Sequence, residues 1–442
     1  MTKDMTTGNP SKVLFFFAVP MILSSILQQL YGIVDSMIVG NFVGKEALAA
    51  VGASYPITFV LITISNGLGI GCGVVISQLF GAKDYKKTKS SIFTSLIFTF
   101  ILSTAFLIIG LFITNWILNM MKTPSDIYKD TYDYLKIYFW GIVFLFMYNI
   151  ANSSFNALGN SKVPLAFLIF SSILNIILDL VFVIKYGMGV RGAAIATLIS
   201  QGVSAVLSFV FLLKSVLKIK SEGKYSLLSF SILKDISKVA VPSILQQSIV
   251  SIGNLFVQRL VNTFGSVVIA GYSAATKIDS ITTLPMANMS NAVSNFTAQN
   301  NGAGKRDRIR KGYKAALIMI AVFCAVIAVI IFIFGNSLIS MFVDSNTGKD
   351  VIEMGCSYLH VVSLFYFFMG LMVITNGVLR GVKDMKFFLL STLTNLSSRV
   401  IFAYGFSGIM GKGSIWWAVP VGWMFASVVS VSRYYHKGAV AQ

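Results

Sequence analysis

Ala18-Val19-Pro20 opens one apolar segment, and Ala240-Val241-Pro242 opens another 222 positions later. Gln78-Leu79-Phe80-Gly81-Ala82 closes a segment, and Gln299-Asn300-Asn301-Gly302-Ala303 closes its counterpart 221 positions on. Leu158-Gly159 and Arg380-Gly381 repeat the pattern at 222. Three matches at one near-constant spacing, in a chain of 442 residues, predict two homologous halves. In a membrane chain such duplication points to a transporter, because two similar bundles can rock around a site held between them.

Composition says that the chain is a membrane protein. It is 56% hydrophobic and 12% charged, about half the charged fraction of soluble domains. Apolar runs of about 20 residues are the spanning signal. Six occur in each half, near 13–40, 47–79, 91–116, 131–157, 163–184 and 192–213, then 236–263, 268–299, 314–340, 355–379, 386–408 and 414–433. The predicted fold is therefore an all-α polytopic membrane protein, with twelve transmembrane helices in two pseudo-symmetric six-helix lobes. The stretch from Lys12 onward lacks the form of a cleavable signal peptide.

The formal charge of +19 invites a nucleic-acid reading, but its distribution argues against one. With the N-terminus placed in the cytoplasm, most Lys and Arg fall in cytoplasmic loops and tails. Examples are Lys83, Lys86, Lys87 and Lys89; Lys214, Lys218, Lys220 and Lys224; and Lys305, Arg306, Arg308, Arg310 and Lys311. That is the positive-inside pattern of a multi-pass protein of the inner (plasma) membrane with both termini cytoplasmic. Anionic lipid headgroups are the partners this charge implies.

The polar stretch 214–235 is read as a cytoplasmic linker between an N-terminal lobe, 1–213, and a C-terminal lobe, 236–442. Six crossings per half make the repeats parallel. A short basic tail follows Arg433. Pro20, Pro56, Pro242, Pro285 and Pro420 lie inside spans, where proline removes a hydrogen bond and kinks the axis. Gly67, Gly69, Gly71 and Gly73 read as close helix packing. Cys72, Cys324 and Cys356 give no metal spacing, and with only His360 and His436 a histidine-based metal site is not expected. No Walker A, HExxH or nucleophile-elbow stretch occurs, so neither ATP hydrolysis nor an enzyme reaction is expected.

Charge at mid-bilayer costs about 2.5–3.5 kcal/mol per residue and needs a reason. Asp35 lies deep in the first span, and Asp179 lies in the outer half of the fifth, four residues after Asn175 and so on the same helix face. Thr197 follows in the sixth. Two carboxylates, an amide and a hydroxyl offer hard oxygen ligands with titratable charge, if the fold brings the spans together. The bland alternative for each acid is a neutral interhelical hydrogen bond. The counterparts of the acids in the second half are Phe256 or Val257 and Ile401, which confines this chemistry to the first bundle. Gln28, Asn152, Gln247, Ser251, Asn254, Asn288 and Asn291 are candidates for a substrate cavity, the alternative being helix–helix glue. Arg399 is a further candidate, or pairs with a carboxylate. Arg259 is expected to snorkel. Lys277 and Asp279 are expected to compensate one another.

These residues resemble the multidrug and toxic compound extrusion family of transporters in its prokaryotic form. The resemblance covers nearly the whole chain. It rests on the two six-span halves, the Gln78–Ala82 and Gln299–Ala303 turns, and the Asn156-Ala-Leu-Gly159-Asn-Ser-Lys162-x-Pro164 and Leu379-Arg380-Gly381-x-Lys-Asp384 loops. It implies two lobes forming a V around a cavity. It also implies a cation site of the N-terminal lobe at Asp35, Asn175, Asp179 and Thr197, able to take H⁺ or Na⁺. Where some members carry acids in the seventh and tenth spans, this chain has Asn254 and Asn376, a pattern closer to the DinF-like branch. The expected function is antiport. An organic compound, cationic or amphipathic, leaves in exchange for H⁺ or Na⁺, through a monomer without a resident cofactor. A lipid or polysaccharide-precursor flippase and a non-transporting receptor or scaffold are the competing readings.

Overall fold

The computed structural model describes residues 3–221, 223–342 and 348–436; Met1, Glu222 of the linker and the end of the basic tail lie outside them. The chain is helical throughout these residues. α1 is Pro10–Phe42, α2 Lys45–Gly81, α3 Tyr85–Met120, α4 Ser125–Ala157 and α5 Lys162–Asp179, which runs on as a π-helical turn, Leu180–Lys185. α6 is Gly189–Leu217, α7 Phe230–Val261, α8 Ser266–Gly302, α9 Arg306–Ser340, α10 Lys349–Leu364, α11 Tyr366–Gly381, α12 Met385–Met410 and α13 Gly413–His436. α10 and α11 are one span bent by 53° at Phe365, so the thirteen helices make twelve rods. Among the described residues, nine helices are individually long and apolar enough to cross a membrane, and the bent pair is the tenth. α8 and α12 have the length, at 37 and 26 residues, but carry more polar side chains. The chain is thus an integral membrane protein, as its composition predicts.

The helices sort into two units. One gathers Val19–Ile244 with Lys3 and Asp4, the other Met5–Ala18 and the chain from Leu245. Two helices are therefore shared out, each beside the proline that the repeat pairs: α1 at Pro20 and α7 at Pro242.

In the first unit α4 is central, packed on α2, α3 and α6, while α5 lies on α6. Its core holds Leu135, Phe139, Ile142, Phe146 and Ile150. The glycines of α2 are packing residues. A methyl group on Gly71 would stand 2.8 Å from the Ala240 nitrogen and 2.9 Å from the Ile236 carbonyl oxygen of α7, and one on Gly69 would stand 2.6 Å from Ser153 Oγ of α4. In lipid no hydrophobic force drives helices together, so such close approach carries the association. The linker is pinned to α3: the Ser229 N–H donates to Thr94 Oγ1 at 3.0 Å, and Tyr225 stacks on Phe93 with Lys89 over its ring.

The second unit places α8 against α9, α10 and α11, and α13 against α11 and α12. Tyr272, Tyr358 and Trp416 form its aromatic centre. At one end the segment before α1 is held by the turn after α8. The Met5 N–H donates to Gln299 Oε1 (2.9 Å), Lys305 donates to the Thr6 carbonyl (2.8 Å), and Arg308 donates to the carbonyls of Met5, Thr7 and Gly8.

The repeat shifts register along the chain. Pro20 and Pro242 are 222 apart, but α4 closes on Ala157 and α11 on Gly381, 224 apart. Lys383 then takes the left-handed conformation of Gly159, and Asp384 takes the helix-start position of Asn160, each again at 224. The Leu158-Gly159 and Arg380-Gly381 match at 222 is therefore two residues out of structural register. In α5 and α12 the residue that corresponds to Asn175 is Arg399.

Candidate functional site

The first unit brings Asp35, Asn175, Asp179 and Thr197 together. Asp179 is the last α-helical residue of α5, where the backbone passes into the π-helical turn; such bulges recur at functional sites. Its side chain is fully enclosed. Asp35, half-buried on α1, lies within hydrogen-bonding reach of it. Four residues back on α5, Asn175 is also enclosed. With its amide nitrogen donating to Asp179 Oδ2 at 2.8 Å, its oxygen accepts from the Thr197 N–H at 3.2 Å and from the Thr197 hydroxyl at 3.3 Å. Tyr31, one turn before Asp35, places its hydroxyl 3.5 Å from Thr197 Oγ1. Tyr134 of α4 completes the ring of groups around both acids.

Two features give this cluster its chemistry. Asp35 Oδ1 and Asp179 Oδ1 are buried oxygens with no hydrogen-bond partner. Among the described residues, the groups that face the acids are another acid, an amide, a threonine and tyrosines, without a cation. Two carboxylates in contact repel unless a positive charge lies between them. A proton shared by the pair, or a monovalent ion held by the free oxygens with the hydroxyl of Thr197, would supply it; the donor set suits a hard cation. A pocket of about 10 Å³, the room of roughly one water molecule, opens beside Thr197 between Tyr134, Tyr138 and Gln201.

The remaining candidates belong partly to the first unit and partly to the second. Gln28 is exposed on α1. Asn152 lies beside Tyr148, its Oδ1 buried without a partner. On α7, Ser251 donates to the carbonyl of Gln247 at 3.0 Å, and Gln247 Nε2 is left buried and unpaired. Asn288 donates to its own helix at Leu284. Asn291 accepts from Arg380 at 2.7 Å, a buried guanidinium that also donates to Ser294; here the polar stripe of α8 joins helices. Asn254 accepts from Arg399 Nη1 at 3.2 Å. Arg259 is exposed in the last turn of α7.

One expectation is corrected. Asp279 is not compensated by Lys277, which is exposed and lies over the Phe342 ring. Two residues apart on a helix, the two side chains cannot face each other. Asp279 instead accepts from the Tyr366 hydroxyl at 2.8 Å and lies within electrostatic reach of Arg399. Tyr31 and Tyr134 were missed as neighbours of the acids. For Tyr31 a signal existed, its place four residues before Asp35; for Tyr134, which comes from another helix, none did.

Comparison with known proteins places these features in context. The MatE family model matches residues 20–181 and again 242–405, the two halves of the repeat. A probable multidrug resistance protein of Bacillus subtilis (strain 168), YpnP, is 31% identical over 436 residues, 98% of this chain and 97% of its own. The multidrug export protein MepA of Staphylococcus haemolyticus is 25% identical over 374 residues, 84% of this chain and 81% of its own. Among solved structures, an outward-facing multidrug resistance MATE family transporter of the MOP superfamily superposes with a TM-score of 0.92 at 24% identity, both chains covered in full. A MOP superfamily transporter from Pyrococcus furiosus, whose reversed binding-pocket polarity suggests a different function, superposes at 0.91 with 25% identity and the same coverage.

Proposed function

The chain belongs to the MatE family, and from that premise we propose that it is a secondary active antiporter. It exports organic compounds of cationic or amphipathic, drug-like character across the plasma membrane in exchange for H⁺ or Na⁺. The names of its relatives, a multidrug resistance protein and a multidrug export protein, support the class of cargo. The observation that carries the coupling is the meeting of Asp35 with Asp179, each with a free buried oxygen.

The physical sequence is short. Without a bound cation the two carboxylates repel, and α1 and α5 are pushed apart at that level. Entry of H⁺ or Na⁺ from outside neutralises the pair and lets the helices close on it. Asn175 and Thr197 hold the loaded geometry, and Tyr31 orients the Thr197 hydroxyl. Cation and cargo must favour opposite conformations for one gradient to drive the other. One charge falling through 100 mV releases about 2.3 kcal/mol, enough for a gradient of roughly fifty-fold in an uncharged cargo, since 1.4 kcal/mol is tenfold; a monovalent cationic cargo exchanged one for one moves no net charge and is driven by the concentration gradient of the coupling ion alone. The protein works as a monomer, its termini in the cytoplasm.

The test is export in proteoliposomes with the proton and sodium gradients imposed independently. Asp35→Asn and Asp179→Asn are each expected to abolish gradient-driven export of a cationic dye while leaving dye binding measurable. Undiminished driven export in both variants would overturn the reading. Transbilayer movement of a labelled lipid, independent of either gradient, would favour a flippase in its place.

A further inference from the structure

α9 and α10 pack on each other in the second unit, and three ligand-type side chains meet between them. Cys356 and His360 stand four residues apart on α10 and so share a helix face. Asn336 comes from α9, and the Cys356 thiol donates to its Oδ1 at 3.0 Å. The space beside this group is the missing side chain of Gly335, the residue before Asn336. A methyl group built on Gly335 would stand 3.5 Å from His360 Nε2 and 3.6 Å from Cys356 Sγ. Among the described residues, nothing else beyond its own stretch of α9 comes within 4 Å of that position. A space the size of one methyl group is therefore bordered by a sulfur and an imidazole nitrogen.

The groups around this space are held in place. Gly355, next to Cys356, is close-packed: a methyl group there would stand 2.7 Å from Ile339 Cδ1 and 3.0 Å from the Gly271 carbonyl oxygen. The His360 ring stacks on Phe332, with centroids 4.6 Å apart and the planes 7° from parallel, which leaves its in-plane nitrogens available. Neither ring nitrogen has a hydrogen-bond partner among the described residues. Cys356 is buried whereas Asn336 is exposed, so the group opens outward at the amide.

We propose that Cys356, His360 and Asn336 form a binding site for a thiophilic transition-metal cation such as Zn²⁺, seated beside Gly335. Thiolate and imidazole are the ligands such a cation takes, with the amide oxygen as a third and a fourth position left for water. On binding, the Cys356 S–H bond breaks, a sulfur–metal bond forms and the proton leaves to solvent. The ion then ties α9 to α10. Sequence spacing conceals the set, because the cysteine and the amide lie 20 positions apart across a loop, and a count of cysteine and histidine passes over Asn336. The site belongs to the second unit and the Asp35–Asp179 pair to the first, so the proposal does not depend on the coupling reading.

Zn²⁺ titration of the purified full chain, freed of any histidine tag, tests this by the metal bound and by the unfolding temperature in detergent. The parent is expected to bind Zn²⁺ and to unfold at a temperature that rises with its concentration, since an ion held by the folded state alone stabilises it by mass action. Mg²⁺ should give no rise. Cys356→Ser and His360→Gln should each weaken Zn²⁺ binding by about tenfold or more. Gly335→Ala keeps all three ligands and sets its methyl group at ordinary contact distance from them, so it should fold and yet lose the site by the same measure. Cys324→Ser, elsewhere on α9, should leave binding unchanged. With Co²⁺ in place of Zn²⁺, a thiolate-to-metal charge-transfer band in the parent, absent from Cys356→Ser, reports direct ligation. If Cys356→Ser fails to fold, His360→Gln and Gly335→Ala decide. A parent that binds no Zn²⁺, or an affinity within about threefold of the parent's in any folded one of these three variants, overturns the proposal.

Discussion

On the proposed coupling, Thr197 is the residue whose substitution would tell a proton from a sodium ion. Its hydroxyl is within 3.5 Å of Tyr31 and within 3.3 Å of Asn175, two neighbours of the acid pair. A proton needs only a carboxylate oxygen, whereas Na⁺ needs several oxygens around it. Thr197→Val keeps the shape and removes the hydroxyl. If Na⁺ is the coupling ion, the apparent Na⁺ affinity for driving export should fall about tenfold or more, since a hydrogen bond to a charged group is worth about 1.5–3 kcal/mol. If H⁺ is the ion, proton-driven export should change by less than about threefold, under 1 kcal/mol. Equal loss under both gradients would assign Thr197 to packing alone. At this scale Asp35 and Asp179 were legible because a carboxylate in an apolar run stands out by its cost. Tyr366 as the partner of Asp279 was not. The two are separated by 87 positions, and a tyrosine in an aromatic run looks the same whether it lies in packing or bonds to an acid.

Elements obey a packing rule that the glycines of α2 expose. Gly71 has Ala240 and Ile236 at contact distance, whereas Gly52, in the same helix, has open space where a side chain would go. Gly71→Ala should therefore destabilise the protein by about 1–3 kcal/mol through overpacking. Gly52→Ala should be neutral or stabilise by up to about 1 kcal/mol, the helix-propensity gain. Thermal unfolding in detergent compares the two; an equal response would mean that α2 and α7 do not meet as described. The spans themselves were readable from apolar length. What was not readable is where regular helix gives way. The bend between α10 and α11 falls within Phe365-Tyr366-Phe367-Phe368, without proline or glycine, and the π-helical turn after Asp179 occurs in Leu-Val-Phe-Val-Ile, a run that reads as ordinary helix. Neither break carries a signal in local propensity, since both runs are apolar and free of proline and glycine.

At the scale of the whole molecule, duplication of the sequence and division of the structure do not coincide. The repeat splits the chain near its linker, but the first unit includes α7 as far as Ile244, and the second includes Met5–Ala18. Each sequence half thus leaves a surface of its own unit uncovered. Residues 1–221 alone would lack Ile236, Ala240 and Ile244, which close on Gly67 and Gly71 of α2. Residues 223–442 alone would lack the Met5–Gly8 carbonyls that receive Lys305 and Arg308, and each such charged hydrogen bond is worth about 1.5–3 kcal/mol. The linker has Gly223 in the left-handed region, and the chain is divided just before it. Expressed separately, the two halves should be degraded or aggregate. Expressed together, they should co-purify and regain the export activity of the intact chain. Size-exclusion chromatography and unfolding of each fragment decide the matter: a half that is monodisperse alone and unfolds at the temperature of the intact protein would mean that the exchanged segments contribute little. The repeat spacing in the sequence could not reveal this exchange, because Pro20 and Pro242 match as residues while the contacts on either side of each proline lie with different units.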